Sequence, residues 1–596
     1  MKNYALAVCQ KITKFVINHR LAVSLSFLLT ILIFAPLFAL PRVLGKEYQG
    51  INIIPFGSDA HAYLSRGREV LDGNKLGSPF IKEGKNEADS LVSYSEYVLL
   101  TPVKLLGLAQ TTDIVTLYYV YGFVGVFFLI LLIYFLVLQL SGHKLISIAA
   151  AVFAIGGYSI VYHKALFYSD FNVYARMIYP YISSLVLFSY LNLLIKSLKS
   201  DKLNYKIFTA VIFGLMFYVY FYTWTFTLAF NATLLLIFLV KKDLLSAKKM
   251  LLISAVGLAL GSYNIARLFL RLGSEMGAQL AYYNWLSYGH WPIFSKIGFL
   301  TLIIFVVFWY RQRNDKNLPL IAAIILSGWI SLNQQIITGR MLEYGHYYFY
   351  FIVPLSIIVS FYMVWQILKN ENFKKYLFIF LIAVAFINTA GGQYRSFYSV
   401  LKAEKYQQNF RPLIDFLNRD KAPAVILSTR DISLLFTVYT PHDLFWSNTA
   451  TLTNIPFQRI KDAFFVYAYL NKDSRNNFSR YIIQIMADDN NNTYFKSDYR
   501  DIEGFLSGDD YYAYIKKIAT RDQTLNQKRL EIVDQLNKEY SAAVLTGDGI
   551  NQLLKKYGVN YLVWDKNINP EWDLSDIRGL KQLTSYNNIY LYSLNQ

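Results

Sequence analysis

The chain has 596 residues, of which 55% are hydrophobic and 17% aromatic, with only 16% charged and a mean hydropathy of +0.30. A soluble globular protein of this length carries more charge, so the composition excludes that class and points to a polytopic membrane protein. The net charge of +19 invites a nucleic-acid reading, but the lysines sit where a topology signal belongs, in short loops between apolar runs, and no nucleic acid is expected as a partner.

A membrane span needs roughly 20 mostly apolar residues. In chain order the candidates are Leu21–Pro41, Leu117–Leu140, Leu145–Val161, Met177–Ile195, Ile207–Tyr222, Trp224–Val240, Met250–Ala266, Ile297–Tyr310, Leu318–Ile336, Tyr347–Leu368 and Tyr376–Ala390. That is about eleven spans, several of them short. The first follows Lys11, Lys14 and Arg20 and shows no small-residue cleavage site, so it reads as a retained helix. A single cysteine, Cys9, leaves no disulfide within the chain and no cysteine-based metal site or nucleophile beyond the first span.

Lysine clusters mark alternate loops: Lys196 to Lys206, Lys241 to Lys249, Arg311 to Lys316 and Lys369 to Lys375. Placed on the cytoplasmic side, they put the N-terminus inside. The outer face then receives Arg42–Thr112, Tyr162–Arg176, Arg267–Lys296, Ile337–His346 and everything after Ala390. These loops mix signs, with Asp59, His61, Arg66, Arg68 and Glu69, then His163, Lys164, Asp170 and Arg176, then Arg267, Arg271 and Glu275, then Arg340, Glu343 and His346. Ionisable groups at membrane level are costly unless paired or used, so their gathering on one face predicts a polar cavity there.

After Gly391 the texture becomes polar. Arg411–Asn418 reads as a helix leading to a strand at Ala424–Ser428, and Asp510–Ala543 is rich in helix formers. A helix opening at Gly547-Asp548-Gly549 ends at a Gly558 cap, followed by strands at Val559–Trp564 and Ile589–Leu594. The expected fold is a transmembrane domain over residues 1–390, with a long first outer loop at 42–112, and an extracytoplasmic α/β domain over 391–596, enough for its own core.

Two motifs carry a resemblance. The first is Gly57-Ser58-Asp59-Ala60-His61-Ala62-Tyr63, followed by an amphipathic stretch from Arg66 to Gly73. The second is Tyr168-Ser169-Asp170-Phe171-Asn172, with Arg176 and Pro180 at the start of the next span. A long outer loop with an early Asp, and an acidic motif in the next outer loop, together resemble the GT-C superfamily of integral-membrane glycosyltransferases, which use polyprenyl-phosphate sugar donors. The segments Leu435 to Trp446 and Leu553 to Trp564 are similar to the outer domains of bacterial YfhO-like and protein-mannosyltransferase-like members. The chain lacks the Trp-Trp-Asp-Tyr-Gly signature of oligosaccharyltransferases and has no Asp-x-Asp in the first loop.

The resemblance implies sugar transfer from a polyprenyl-phosphate donor to a glycan, lipid or protein acceptor at the outer face of the plasma membrane. A sugar leaving with a phosphate departs readily, so the chemistry asks for a carboxylate to accept the acceptor's proton and cations to hold the phosphate. Asp59 is the expected base of an inverting single displacement. Asp170 positions the acceptor or joins Asp59 on a divalent ion, although no metal or other cofactor is expected. Arg176, Arg267 and Arg340 offer guanidinium forks to phosphate. His61, Tyr63, Arg66, Glu343 and His346 complete the expected substrate contacts. Against these stand plainer roles: Asp59 as a helix N-cap, Asp170 paired with Lys164 or Arg176, Arg267 reaching towards lipid headgroups, and Arg340, Glu343 and His346 as a surface ion network. Two other functions compete, a transporter or flippase of lipid-linked glycans and a non-catalytic envelope-assembly scaffold. The first lacks an inverted repeat, and the second tolerates loss of Asp59.

Overall fold

The computed structural model describes residues 13–56, 59–87, 93–109, 112–274, 277–420, 422–488 and 493–594. Cys9, Gly57, Ser58 and Glu275, singled out above, lie outside the described residues.

The predicted spans fall on helices, two of them split between consecutive ones. Eight helices among the described residues are long and apolar enough to cross a membrane. The helices Lys144–Gly156 and Leu203–Met216 are apolar but shorter, and Lys296–Arg311 has 16 residues. The shortfall has local causes. Predicted span Leu145–Val161 is interrupted at Gly157, where the chain restarts as the short helix Tyr158–His163. Predicted span Ile207–Tyr222 stops at Met216, so its turn falls at Phe217–Tyr220 and not at Thr223.

The helices present apolar surface outwards as well as inwards. Phe27, Phe128, Leu236, Leu260 and Val306 are exposed on spans. In water such a bundle buries its large side chains, whereas acyl chains solvate them at no cost. Small residues let neighbouring helices touch. A Cβ on Gly257 of the Leu244–Leu272 helix would stand 2.2 Å from the Phe213 ring of the Leu203–Met216 helix. Close backbone approach of this kind drives helix association where the surroundings are already apolar.

The change of texture at Gly391 does not break the helix. Glu371–Gln407 is one continuous helix of 37 residues that carries the chain from the bundle into the C-terminal domain. Gly391 is there because Phe167 presses on it, leaving 2.4 Å for any Cβ.

The C-terminal domain is built on a five-stranded sheet in the order β4 (Asp443–Leu444), β3 (Val425–Ser428), β5 (Val559–Asp565), β7 (Ile589–Leu594) and β6 (Leu580–Tyr586). A separate antiparallel pair, β1 (Ser287–Tyr288) with β2 (Arg340–Met341), lies between spans. In the main sheet β3 (Val425–Ser428), β4 (Asp443–Leu444) and β5 (Val559–Asp565) are parallel, while β7 (Ile589–Leu594) is antiparallel to β5 and to β6 (Leu580–Tyr586). Strand side chains alternate between faces. Ile426, Val563, Ile589 and Leu591 join the core that continues into the bundle. Val425, Leu427, Val559, Leu562 and Leu594 join a second core, roofed by the helices Phe457–Leu470, Phe478–Ala487, Tyr494–Ser507 and Gln523–Tyr540.

The first long loop is threaded between bundle and sheet. Its helix Ala60–Asp72 packs on the Ser433–Tyr439 helix, with Ser65 Oγ 2.6 Å from Thr437 Oγ1. The Leu444 amide of β4 donates to Phe80 O at 2.8 Å. Lys85 reaches both Glu69, at 3.1 Å, and Asp443. Gln408 holds the loop's start, accepting from the amides of Gln49 and Ile51 and donating to Ile51 O.

Candidate functional site

Asp59 occupies the N-cap position of the Ala60–Asp72 helix, yet its side chain makes no capping hydrogen bond. The carboxylate instead forms an ion pair with Arg176 Nη2. Arg176 Nη1 donates to Tyr350 Oη at 2.8 Å. The Asp59 side chain is 42% exposed and that of Arg176 21%, so the pair faces an opening from one side. Local structure explains where Arg176 sits. It follows a tight turn, Val173–Ala175, which Asn172 caps by accepting from the Tyr174 amide at 3.0 Å. Asn172 is itself pinned, its amide donating to Gln393 Oε1 at 3.1 Å and its Nδ2 to Ile155 O at 2.8 Å. The second loop is thereby clamped to the long helix that joins the two domains.

Glu343 and His346 arrive from a third loop. His346 Nδ1 lies 3.2 Å from Glu343 Oε2, and the imidazole stacks on Tyr350 with centroids 5.3 Å apart. Burial raises the Glu343 carboxyl to about 7, with the Asp59 charge adding and Arg176 opposing. Desolvation disfavours the carboxylate, so near neutrality this group both holds and releases a proton. The remaining wall is phenolic. Tyr63, one helical turn beyond Asp59, feels Asp59, Arg176 and Tyr350 and is held well above its ordinary range by burial. Its ring meets Tyr179 at 5.8 Å, Tyr179 stacks on Tyr220 at 4.5 Å, and Tyr220 lies 6.0 Å from His346 and 6.1 Å from Tyr350.

Asp59, Tyr63, Arg176, Glu343 and His346 therefore share one place, drawn from separate loops. The other sequence candidates take different partners. His61 is partly enclosed, and burial pushes its imidazole down to about 4, which keeps it neutral. Arg66 turns inwards to a buried ion pair with Glu96 at 2.5 Å. Asp170 lies 3.4 Å from His163 Nε2, not on Lys164 or Arg176 as the plainer reading had it. Arg267 donates to Tyr94 of the first loop and lies over its ring. Arg340 is exposed on β2, opposite Tyr288. Among the described residues no group of three or more His, Cys, Asp or Glu side chains is placed to hold a metal ion.

The sequence does not single out Tyr179, Tyr220 or Tyr350 as parts of the site, and it offers Asn172 only as the end of the second motif. With 49 tyrosines in the chain, nothing in a window around any one of them sets it apart.

No family model matches the chain. A 72-residue stretch, 11% of the chain, is 39% identical to the 5'-nucleotidase SurE of Campylobacter fetus subsp. fetus (strain 82-40), and the match spans 28% of that curated relative's length. Among solved structures the chain is similar to the oligosaccharyltransferase of Archaeoglobus fulgidus. In its apo form the TM-score is 0.46 at 10% identity, covering 82% of this chain and 71% of that one. When tethered to an acceptor peptide containing the NVT sequon, the TM-score is 0.46 at 11% identity, covering 96% and 74%. Likeness at this level identifies neither a fold nor an activity.

Proposed function

We propose that the chain is a multi-pass membrane glycosyltransferase. In this reading it moves a sugar from a polyprenyl-phosphate donor to a glycan, lipid or protein acceptor at the extracytoplasmic face of the plasma membrane. The observation that carries the reading is the convergence of Asp59, Arg176 and Glu343 from three loops onto one partly open site at the end of the bundle. Holding such a set near the membrane is expensive, and a structure that only anchors a scaffold gains nothing from it.

The reaction is a single displacement. Arg176 offers a fork to the donor phosphate, matching two oxygens at once. The arriving phosphate competes with Asp59 for the guanidinium, which frees the carboxylate when substrate is present. Asp59 then takes the proton from the acceptor hydroxyl, whose oxygen attacks the anomeric carbon while the bond to the phosphate oxygen breaks. The electron pair departs on the phosphate, held by Arg176, and the anomeric centre inverts. Tyr63 and Tyr350 supply phenolic hydroxyls in the wall beside Arg176, and Glu343 adds a carboxyl that exchanges a proton near neutrality.

The test is transfer of radiolabelled sugar from a polyprenyl-phosphate donor by purified protein in liposomes. Asp59→Asn should insert normally and lose about 10²–10⁴-fold in rate, the range of general-base contributions. Full transfer by that variant would reject the enzyme reading.

A further inference from the structure

The helix Ser95–Leu105 of the first long loop has its polarity reversed. Glu96, Leu100 and Val103, spaced four and three apart, form one buried face. The opposite face carries Val98, Thr101, Pro102 and Leu105, of which Val98 is 72% exposed and Leu105 82%. The chain stays apolar past the helix end, with Leu106 and Leu108 exposed as well. A helix on a water-covered surface turns its charges out and its aliphatics in, the opposite arrangement. Left in water, such an aliphatic strip costs roughly 25 cal/mol per Å².

Three contacts fix the level at which the strip sits. The Tyr94 amide, just before the helix, donates to Tyr218 O at 2.8 Å, in the turn that joins the helices Leu203–Met216 and Phe221–Val240. Arg267, near the end of the helix Leu244–Leu272, donates to the Tyr94 phenol. Tyr121 Oη donates to Leu99 O at 2.9 Å. Tyr121 lies two turns inside the helix Ile114–Ser141, about 10 Å along its axis. The loop helix therefore lies across the ends of the bundle, at the depth where headgroups give way to acyl chains. Val120 and Val124, beside Tyr121 on the same span, are exposed too, so the strip adjoins the outward apolar surface of the bundle. Lys104, exposed in the last turn, has a stem long enough to bring its ammonium to lipid phosphates.

We propose that this helix and the residues after it are a membrane-surface segment, with Val98, Leu105, Leu106 and Leu108 among the phospholipid acyl chains of the leaflet next to the C-terminal domain. An interfacial helix of this kind sinks its apolar face about 5–10 Å into the headgroup and acyl boundary. The buried side of the same segment holds the candidate site. Glu96 pairs with Arg66 of the Asp59 helix, and the Ser93 and Ser95 hydroxyls lie 2.5 and 2.8 Å from Tyr179 Oη. Lipid contact on one face thus sets the height of the Asp59–Arg176 pair at the membrane boundary. The inference rests on the membrane half of the reading above and not on sugar transfer.

The test is site-directed fluorescence quenching in the full chain with Cys9→Ser, reconstituted in phosphatidylcholine vesicles. A thiol-reactive NBD label is attached, one site at a time, at Val98→Cys, Leu105→Cys, Phe128→Cys on an exposed span position and Lys538→Cys on the surface of the C-terminal domain. Thermal melting confirms that each labelled variant folds. Phosphatidylcholine with a doxyl group on one acyl chain reports lipid, and iodide on both sides of the membrane reports water. At positions 98 and 105 the doxyl lipid should quench several-fold more than iodide, as at 128, with the reverse at 538. Lipid quenching at 128 with iodide quenching at 98 and 105 would overturn the inference and leave the membrane reading standing. So would shielding of 98 and 105 from both quenchers, the mark of a protein partner on the strip. Absence of lipid quenching at 128 would remove the membrane reading itself, and the inference with it.

Discussion

At the scale of single residues, the arrangement around Asp59 shows how one guanidinium organises a site. Arg176 is committed to Asp59 and Tyr350 at once, so its two terminal nitrogens fix a carboxylate and a phenol relative to each other. A lysine has a point charge and no fork. Arg176→Lys should therefore lose most transfer activity even though the charge is kept, measured as kcat/KM with the same donor. Retention of more than half the activity would show that only charge matters.

Glu343 makes a second prediction at this scale, through the linkage between protonation and stability. Its carboxyl sits at about 7 in the folded chain against an ordinary 4.5. Between those values the folded state binds more protons than the unfolded state, so stability is greater below pH 4.5 and declines as pH rises to about 7. Glu343→Gln removes that loss. The variant should melt higher than the parent at pH 8 and about the same at pH 5, followed by the change in intrinsic fluorescence on heating. A lower melting temperature at pH 8 would mean that the carboxylate is better stabilised than its burial implies. The same group predicts an inflection near pH 7 in the transfer rate that the glutamine variant lacks.

At the scale of elements, the bundle is held by shape more than by polar contacts. The Leu203–Met216 and Leu244–Leu272 helices touch because Gly257 leaves room for Phe213. Gly257→Val should cost about 1–3 kcal/mol by overpacking, read as a fall in melting temperature in detergent. No change would place the contact among those the helices can slide past. The Ala60–Asp72 helix is different, since its buried Arg66–Glu96 pair and the Glu69–Lys85–Asp443 triad anchor it by charge. Its long apolar neighbours are legible from apolar run length alone. The helix itself was legible as amphipathic, but not which of its charges turn inwards. Arg66 and Arg68 read alike in the sequence, yet Arg66 is buried on Glu96 while Arg68 pairs with Asp72 on the same helix.

At the scale of the whole molecule, the first loop is the bolt between bundle and sheet, and Lys85 is its most telling contact. It sits between two carboxylates, one on the loop helix and one on β4, and is little exposed. Lys85→Ala leaves those carboxylates facing each other without a cation. Breaking a buried pair in this way typically costs about 3–5 kcal/mol. The variant should show faster amide exchange over Ala60–Asp72 and early proteolysis of the loop, while the spans stay protected. Unchanged exchange would mean that the backbone bond from Leu444 to Phe80 and the Gln408 clamp suffice.

The apolar helices, the order of polar loops between them and the three strands at Ala424–Ser428, Val559–Trp564 and Ile589–Leu594 are legible in the chain alone, because these depend on runs and alternation that any short window contains. Not legible there are β6, whose Lys-Gln-Leu-Thr-Ser stretch lies half-exposed at a sheet edge, and the continuity of Glu371–Gln407 through a glycine pair kept for packing. Which carboxylate meets which arginine is a matter of the folded chain. Asp59 and Arg176 are 117 positions apart, and contact at that separation is settled by how three loops fold over the end of a bundle, not by any local preference.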